Sequence, residues 1–136
     1  MRKSYSNKCQ KDLEVWIEPG RFLVGNSGVL LCKITAKKTT PEKNFYGTDT
    51  GFNHLLRPAL YNSYHSITNL SNPNASKEDV TVCGNLCEST DNLATNIRLG
   101  GETGDILCIG NAGAYGFCMS SNYNERCRPG EVLLEE

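Results

Sequence analysis

The stretch Asp105-Ile-Leu-Cys-Ile-Gly-Asn-Ala-Gly-Ala-Tyr-Gly116 decides the fold of this 136-residue chain. Its first part, Ile106 to Ile109, is a short and wholly apolar run, which predicts a buried strand. Its second part has glycine at positions 110, 113 and 116, which predicts a bulge or turn where the backbone approaches other groups closely. The stretch therefore predicts a core strand that leads into a tight turn around Tyr115.

Outward from this stretch, the sequence predicts further short strands separated by glycine and asparagine turns. Polar residues 37–43 predict the tip of a hairpin, and residues 51–65 predict a short helix around Pro58, with another helical turn within 90–99. This pattern is typical of a closed or sandwich-like, mainly β domain with one or two short helices. Further strands are predicted at 13–17, across 21–36 as one kinked strand or two, and at 44–49, 80–83 and 132–134.

Composition and charge exclude several classes of partner. Fourteen Lys and Arg against fifteen Asp and Glu give a formal net charge of −1, which offers no electrostatic reason to bind nucleic acid or an acidic membrane. No apolar run is long enough to cross a bilayer, and no signal peptide is visible. We therefore expect a cytoplasmic protein with no nucleic-acid and no membrane partner.

Seven cysteines are distributed over the chain. An odd number does not fit a closed disulfide framework, and the closest spacings, Cys83 to Cys87 and Cys118 to Cys127, do not match those of zinc sites. We expect reduced thiols, most of them small core residues, and no metal site.

Two clusters place an arginine where it could meet a ligand. In Glu18-Pro19-Gly20-Arg21, glycine allows the backbone to approach a ligand and arginine offers a planar fork for phosphate or carboxylate. In Arg57-Pro58-Ala59-Leu60-Tyr61, positions four apart share one face of a helical turn, so Arg57 and Tyr61 could touch the same ligand. Taken singly, each is better explained by structure: a surface turn, and a helix with a solvated arginine and a core tyrosine.

Two more clusters offer a proton donor and a phenol. Cys87-Glu88-Ser89 sets a thiol beside a carboxylate; the neighbouring anion raises the pKa of a thiol, which suits a proton donor better than a thiolate nucleophile. Small residues around Tyr115 could let backbone and phenol meet a cofactor. Singly, a buried thiol and a β-bulge with a core tyrosine explain these clusters better.

Together and in this order, the four clusters resemble the C-terminal part of the ornithine, diaminopimelate and arginine decarboxylases, which are fold-type III pyridoxal-phosphate (PLP) enzymes with an alanine racemase-like β domain. The thiol of Cys87 resembles the one shared across this family, and Glu88-Ser89 resembles the diaminopimelate branch. The resemblance covers residues 13–136. Other matching stretches are Thr48-Asp49-Thr50-Gly51, Tyr64-His65, Ser121-Asn122-Tyr123-Asn124 and Arg128-Pro129-Gly130-Glu131-Val132.

The resemblance implies a division into two domains. Residues 1–20 would be the tail end of an N-terminal (β/α)₈ barrel, and residues 21–136 the C-terminal β-barrel domain. The family anchors PLP on a lysine of the N-terminal barrel, which this chain lacks, and Lys33 is the least unsuitable of the lysines here. We therefore expect a fragment that is inactive alone, needs the missing barrel, and dimerises or aggregates in isolation.

The resemblance also implies a role for each site residue. Cys87 would be the catalytic general acid that protonates Cα after CO₂ leaves. Because the family uses this thiol and the following glutamate in the partner subunit's site, we expect a homodimer with shared sites. The implied substrate-binding residues are Arg21, Arg57 and Tyr61 for the distal carboxylate, Glu88 for the distal ammonium, and Tyr115; the implied cofactor-binding residues are Glu18, Gly20, Arg21 and Tyr115.

The reaction implied is the conversion of meso-2,6-diaminopimelate to L-lysine and CO₂ by a PLP-dependent lyase of lysine biosynthesis. Two alternatives stay open. The chain could be a non-catalytic dimerisation or binding module, or its enzyme could decarboxylate ornithine, arginine or carboxynorspermidine. Glu88 argues against a change of substrate, because an anion beside the thiol suits the distal ammonium of diaminopimelate.

Overall fold

The computed structural model describes residues 14–135, and within that range it contains six strands and two short α-helices. The helices are α1 (Gly20–Val24) and α2 (Arg57–Tyr61). Three 3₁₀ turns cover Gly25–Ser27, Phe117–Met119 and Tyr123–Glu125. The strands are β1 (Leu30–Thr39), β2 (Asn44–Thr48), β3 (Ile67–Asn69), β4 (Glu78–Cys83), β5 (Asn92–Leu99) and β6 (Ile106–Ile109).

These strands form one curled sheet in the order β3-β6-β1-β2-β4-β5. All neighbours are antiparallel except β2 and β4, which run parallel. The two edge strands, β3 and β5, contact each other across the remaining gap, so the sheet is a nearly closed barrel. The predicted mainly β fold with short helices is confirmed. No helix among the described residues is long and apolar enough to cross a membrane.

The core lies inside this barrel and follows from the side-chain alternation of the strands. In β1, Cys32 and Ile34 are buried while Lys33 between them is exposed, as expected for a strand with one face on the core. Strand β6, the apolar run in the deciding stretch, buries Leu107 and Ile109 completely. The strand predicted there is confirmed, as are the strands of β2 and β4, the hairpin around residues 40–43 and helix α2.

Four predictions of secondary structure are wrong. The strand predicted across 21–36 begins as helix α1 and a 3₁₀ turn, and only β1 is extended. The helical turn predicted within 90–99 is strand β5, because pairing with β4 overrides a weak local preference. Within 14–17 and 132–134 no strand forms; Leu13, the first residue of the former prediction, lies outside the described residues.

A close approach of two glycines brings helix α1 to the turn after β6. A Cβ on Gly113 would lie 2.2 Å from the Val24 carbonyl oxygen and 2.7 Å from the Gly28 nitrogen. Two backbone hydrogen bonds join the same segments: Ala112 N–H donates to Gly28 O at 2.9 Å, and Gly113 N–H donates to Gly25 O at 3.1 Å. This contact leaves no room for a side chain, so glycine is required at position 113.

A buried carboxylate, that of Asp91, holds the loop between β4 and β5. It accepts the Phe52 N–H at 2.7 Å through Oδ1 and the Leu86 N–H at 2.8 Å through Oδ2. A Cβ on Gly84 would lie 2.1 Å from this carboxylate, so the loop closes tightly around it. Burial raises the pKa of Asp91, and the two backbone hydrogen bonds counteract that rise.

We expect the variant Asp91→Ala to unfold much more readily than the parent protein. It leaves two buried N–H groups without acceptors, which costs about 2–4 kcal/mol of unfolding free energy. Urea unfolding followed by circular dichroism measures the loss. The matched control is Asp79→Ala, since Asp79 is exposed and pairs only with Arg98 at 3.8 Å; its loss is about 0.5 kcal/mol or less. Equal midpoints for the two variants would contradict the role of Asp91.

We also expect Gly113→Ala to destabilise the protein by about 2 kcal/mol, because backbone atoms of Val24 and Gly28 cannot move aside for a methyl group. Gly130→Ala is the control, since a Cβ on Gly130 would meet no atom within 4 Å. Thermal unfolding of both variants provides the comparison. A Gly113→Ala protein that melts with the control would show that helix α1 does not depend on this contact.

Candidate functional site

Helix α2 presents two of the predicted substrate residues. Pro58 lies in its first turn, where its missing N–H is not needed, and Asn62 ends it in the left-handed conformation with φ 51°. This turn places the Arg57 guanidinium carbon 5.7 Å from the centre of the Tyr61 ring and 5.9 Å from that of Tyr115. Both distances are typical of cation–π contacts. Three predicted residues are therefore together in the structure.

Arg21 approaches the same place from helix α1. A Cβ built on Gly20 would lie 3.5 Å from the Tyr115 hydroxyl, so the start of this helix faces the phenol. Burial lowers the pKa of His65, and the positive charges of Arg57 and Arg21 lower it further. Both guanidinium groups therefore act on one imidazole. The name arginine cluster is used below for Arg21, Arg57, Tyr61 and Tyr115.

Neither arginine of the cluster forms an ion pair with a carboxylate of residues 14–135. Arg57 donates one hydrogen bond from Nη2 to the Ser63 hydroxyl at 3.2 Å, but the Nε–H groups of Arg21 and Arg57 are buried without an acceptor. A buried donor without an acceptor costs free energy, and a bound anion removes that cost. Two neighbouring guanidinium groups of this kind suit a phosphate or a carboxylate.

His65 holds the turn that carries Tyr115. The imidazole is buried, and its Nδ1 lies 2.8 Å from the Gly110 carbonyl oxygen. Because a carbonyl only accepts, Nδ1 carries the proton of the neutral ring. The Gly110 N–H donates in turn to the Ser66 carbonyl at 2.8 Å. Residues 65–66 thus fix the beginning of the turn, and the low pKa of His65 keeps a third positive charge out of the arginine cluster.

Tyr115 has an unfavourable backbone conformation. Its φ is 58°, in the left-handed region, which costs a residue other than glycine roughly 1–2 kcal/mol. A Cβ on Gly116 would lie 2.4 Å from the Ala112 carbonyl oxygen, so the turn is closed tightly enough to impose this conformation. Backbone strain is concentrated at functional sites, and here it directs a phenol toward Gly20 and Arg57.

Cys87 and Glu88 form a second, separate group. Both side chains are exposed on the loop that Asp91 holds. The Glu88 carboxylate accepts a hydrogen bond from the Tyr123 hydroxyl. Among the described residues, no hydrogen bond, ion pair or cation–π contact joins Cys87 or Glu88 to the arginine cluster. The structure therefore does not bring the predicted proton donor to the predicted carboxylate site within one chain.

A groove of about 440 Å³ lies between helix α2 and strand β5. Residues 58, 59 and 62–65 line one part of it, directly after Arg57 in the sequence, and residues 89–97 contribute the other part, directly after Glu88. The groove is open and contains both polar and apolar side chains.

Glu18 is a predicted cofactor residue that lies on the surface. Its side chain is exposed and makes no hydrogen bond or ion pair with the other described residues. Three residues that the sequence analysis assigned no role do have one in the structure, namely His65, Asp91 and Tyr123. His65 and Tyr123 lie in matching stretches of the resemblance, which was the available signal; Asp91 had none, because its role depends on burial.

The residues present fit the phosphate of the cofactor that the resemblance implies, or a carboxylate of its substrate. The observation is the pair of buried Nε–H donors of Arg21 and Arg57, next to the Gly20 backbone and the Tyr115 phenol. A metal does not fit as well: residues 14–135 contain no group of three or more His, Cys, Asp or Glu arranged to hold one.

Comparison with known proteins agrees with this chemistry. The family model described as "Pyridoxal-dependent decarboxylase, C-terminal sheet domain" matches residues 7–113. The diaminopimelate decarboxylase of Archaeoglobus fulgidus is 48% identical over 125 residues, which are 90% of this chain and 30% of that protein. The chain thus spans about 30% of the length of the curated relatives it matches.

Solved structures give the same result. The crystal structure of AQ1208 from Aquifex aeolicus superposes with a TM-score of 0.83 at 36% identity, covering 96% of this chain and 33% of that one. The diaminopimelate decarboxylase of M. jannaschii, solved in a co-complex with L-lysine, superposes with a TM-score of 0.79 at 40% identity, covering 93% and 30%. This chain belongs to the pyridoxal-dependent decarboxylase family, whose C-terminal sheet domain it forms.

Proposed function

We propose that this chain is the C-terminal β-barrel domain of a PLP-dependent diaminopimelate decarboxylase, which converts meso-2,6-diaminopimelate to L-lysine and CO₂. The observation that carries the proposal is the pair of buried Nε–H groups without acceptors on Arg21 and Arg57, with Arg57 beside Tyr115. The names of the relatives support the substrate. The boundary predicted between residues 20 and 21 would separate this domain from an N-terminal barrel that carries the lysine anchoring PLP.

The arginine cluster binds the anionic groups. Arg21, with Gly20, Glu18 and Tyr115, lies at the cofactor, and Arg21, Arg57 and Tyr61 hold the distal carboxylate of the substrate. Planar guanidinium forks match both kinds of oxyanion, and the fixed turn of Tyr115 orients the substrate between them. PLP, when bound, accepts the electron pair that loss of CO₂ leaves on the substrate.

Cys87 and Glu88 provide the proton and the ammonium site. Cys87 donates its thiol proton to Cα after CO₂ has left, and Glu88 pairs with the distal ammonium of diaminopimelate. Since Cys87 must stay a reduced thiol to donate this proton, we place the enzyme in the reducing cytoplasm.

The separation of the two groups supports a homodimer with shared sites. Within one chain, Cys87 and Glu88 are exposed and have no contact with the arginine cluster. A loop held rigidly by Asp91 and directed outward suits a site on a second copy. One subunit would supply the arginine cluster, and its partner would supply the proton donor.

We expect full activity from a chimera in which this chain replaces the matching 30% of the Archaeoglobus fulgidus enzyme. In it, Cys87→Ala lowers kcat about 10²–10³-fold, because the positioned proton donor is lost. Cys118→Ala, at another exposed cysteine, is the control and leaves kcat unchanged. The measurement is CO₂ release from meso-diaminopimelate, with ornithine and arginine as competing substrates.

Chimeras that fold, dimerise and bind PLP but release no CO₂ would favour the non-catalytic module. A preference for ornithine or arginine would overturn the substrate assignment while keeping the enzyme. Normal turnover in the Cys87→Ala chimera would show that another group donates the proton.

Mixed dimers test the shared site directly. Arg57→Ala and Cys87→Ala chimeras are each inactive, but when they are unfolded and refolded together about half the dimers are mixed, and each mixed dimer has one intact site of two. We therefore expect recovery of about a quarter of the parent activity. No recovery, with mixed dimers demonstrated by mass spectrometry, would place both groups in the site of a single subunit.

A further inference from the structure

The 3₁₀ turn Tyr123–Glu125 and the residues around it lie against the Cys87 loop, which is residues 84–91 between β4 and β5. The hydroxyl of Tyr123 donates a hydrogen bond to Glu88 Oε1 at 2.5 Å, and its ring packs on Phe52 with centroids 5.4 Å apart. Arg126 adds a hydrogen bond from Nη2 to the Asn85 carbonyl at 3.3 Å. Contacts at Asn85 and Glu88 thus connect the loop to this segment.

The turn at residues 51–54 anchors both partners of this contact. The Ser121 N–H donates to the Asn53 carbonyl at 2.8 Å, which fixes the segment that carries Tyr123. The Phe52 N–H donates to Asp91, which fixes the loop that carries Glu88. The turn at residues 51–54 therefore fixes the segments that carry Tyr123 and Glu88, although these two residues are 35 positions apart in sequence.

Glu88 needs such a partner because its side chain is exposed and flexible. An exposed glutamate samples many rotamers, and ordering it on ligand binding costs conformational entropy. The Tyr123 bond uses Oε1, while Oε2 has no hydrogen-bond partner among the described residues. One oxygen is thus restrained and the other is available to a donor.

We infer that Tyr123 is a positioning residue that holds the Glu88 carboxylate ready for the ammonium group of the substrate, and so contributes to substrate selection. This inference rests on the proposed function, since it assumes that Glu88 binds the ammonium. The hydrogen bond to Glu88 raises the pKa of Tyr123, so the phenol stays a donor at neutral pH.

The test uses the active chimera and the variant Tyr123→Phe, which removes the hydroxyl and keeps the ring on Phe52. We expect KM for meso-diaminopimelate to rise about fivefold, because a hydrogen bond to a charged group is lost from the binding site, with kcat within about twofold. The dissociation constant of L-lysine, measured by calorimetry, rises by a similar factor. Tyr46→Phe is the matched control, because it removes a hydrogen bond of the same kind, from the Tyr46 hydroxyl to Glu78 Oε1 at 2.7 Å, away from the arginine cluster and from Glu88.

A double-mutant cycle with Glu88→Gln separates positioning from a general structural role. If Tyr123 acts through Glu88, Tyr123→Phe has less than a twofold effect on KM once Glu88 is already Gln. A structural role instead gives the same fivefold effect in both backgrounds and lowers the melting temperature, and that result overturns the inference.

The remaining outcomes are also decisive. If Glu88→Gln raises KM strongly but Tyr123→Phe does not, the ammonium site stands and the inference about Tyr123 fails. If Glu88→Gln changes neither KM nor the affinity for L-lysine, the assignment of Glu88 fails and the role of Tyr123 fails with it.

Discussion

The exposed residues Cys87 and Glu88 depend on the hydrogen bonds that the buried carboxylate of Asp91 accepts. This carboxylate accepts backbone N–H groups from two different turns, at Phe52 and Leu86. Hydrogen bonds to a charged acceptor are among the stronger ones in proteins, and here they join the turns that follow the paired strands β2 and β4. The Cys87 loop is therefore exposed without being loose, which is what a proton donor for a neighbouring subunit requires.

The arginine cluster shows the opposite arrangement, in which the fold leaves charges without partners. Arg21 and Arg57 are placed near each other and near His65, with no carboxylate to compensate them in the described chain. The Tyr115 turn adds backbone strain. A fold selected only for stability would remove both features, so their coincidence at one place indicates a binding site for an anion.

Much of the strand pattern could be predicted from local sequence. The apolar run of β6 predicts a buried strand. The alternation in β1 is that of a strand with one face on the core, and the polar residues that follow predict the hairpin. The failures have a common cause. The helical turn predicted within 90–99 is strand β5, which its pairing with β4 makes extended. Helix α1 was predicted to be extended, although its contact with the Gly113 turn determines its position.

Several features of the site can be predicted from local sequence: Arg57 and Tyr61 one helical turn apart, the thiol of Cys87 beside a carboxylate, and Tyr115 between glycines. Local spacing is sufficient for such features, since helical and strand periods are properties of the backbone. Which of these residues lie close together depends on the tertiary structure. Helix α1, which carries Arg21, approaches the Tyr115 turn because Gly28 and Gly113 allow the two backbones to touch, whereas Asp91 and Tyr123 fix the loop of Cys87 and Glu88. Contacts between distant segments depend on burial and close packing, which no local pattern encodes.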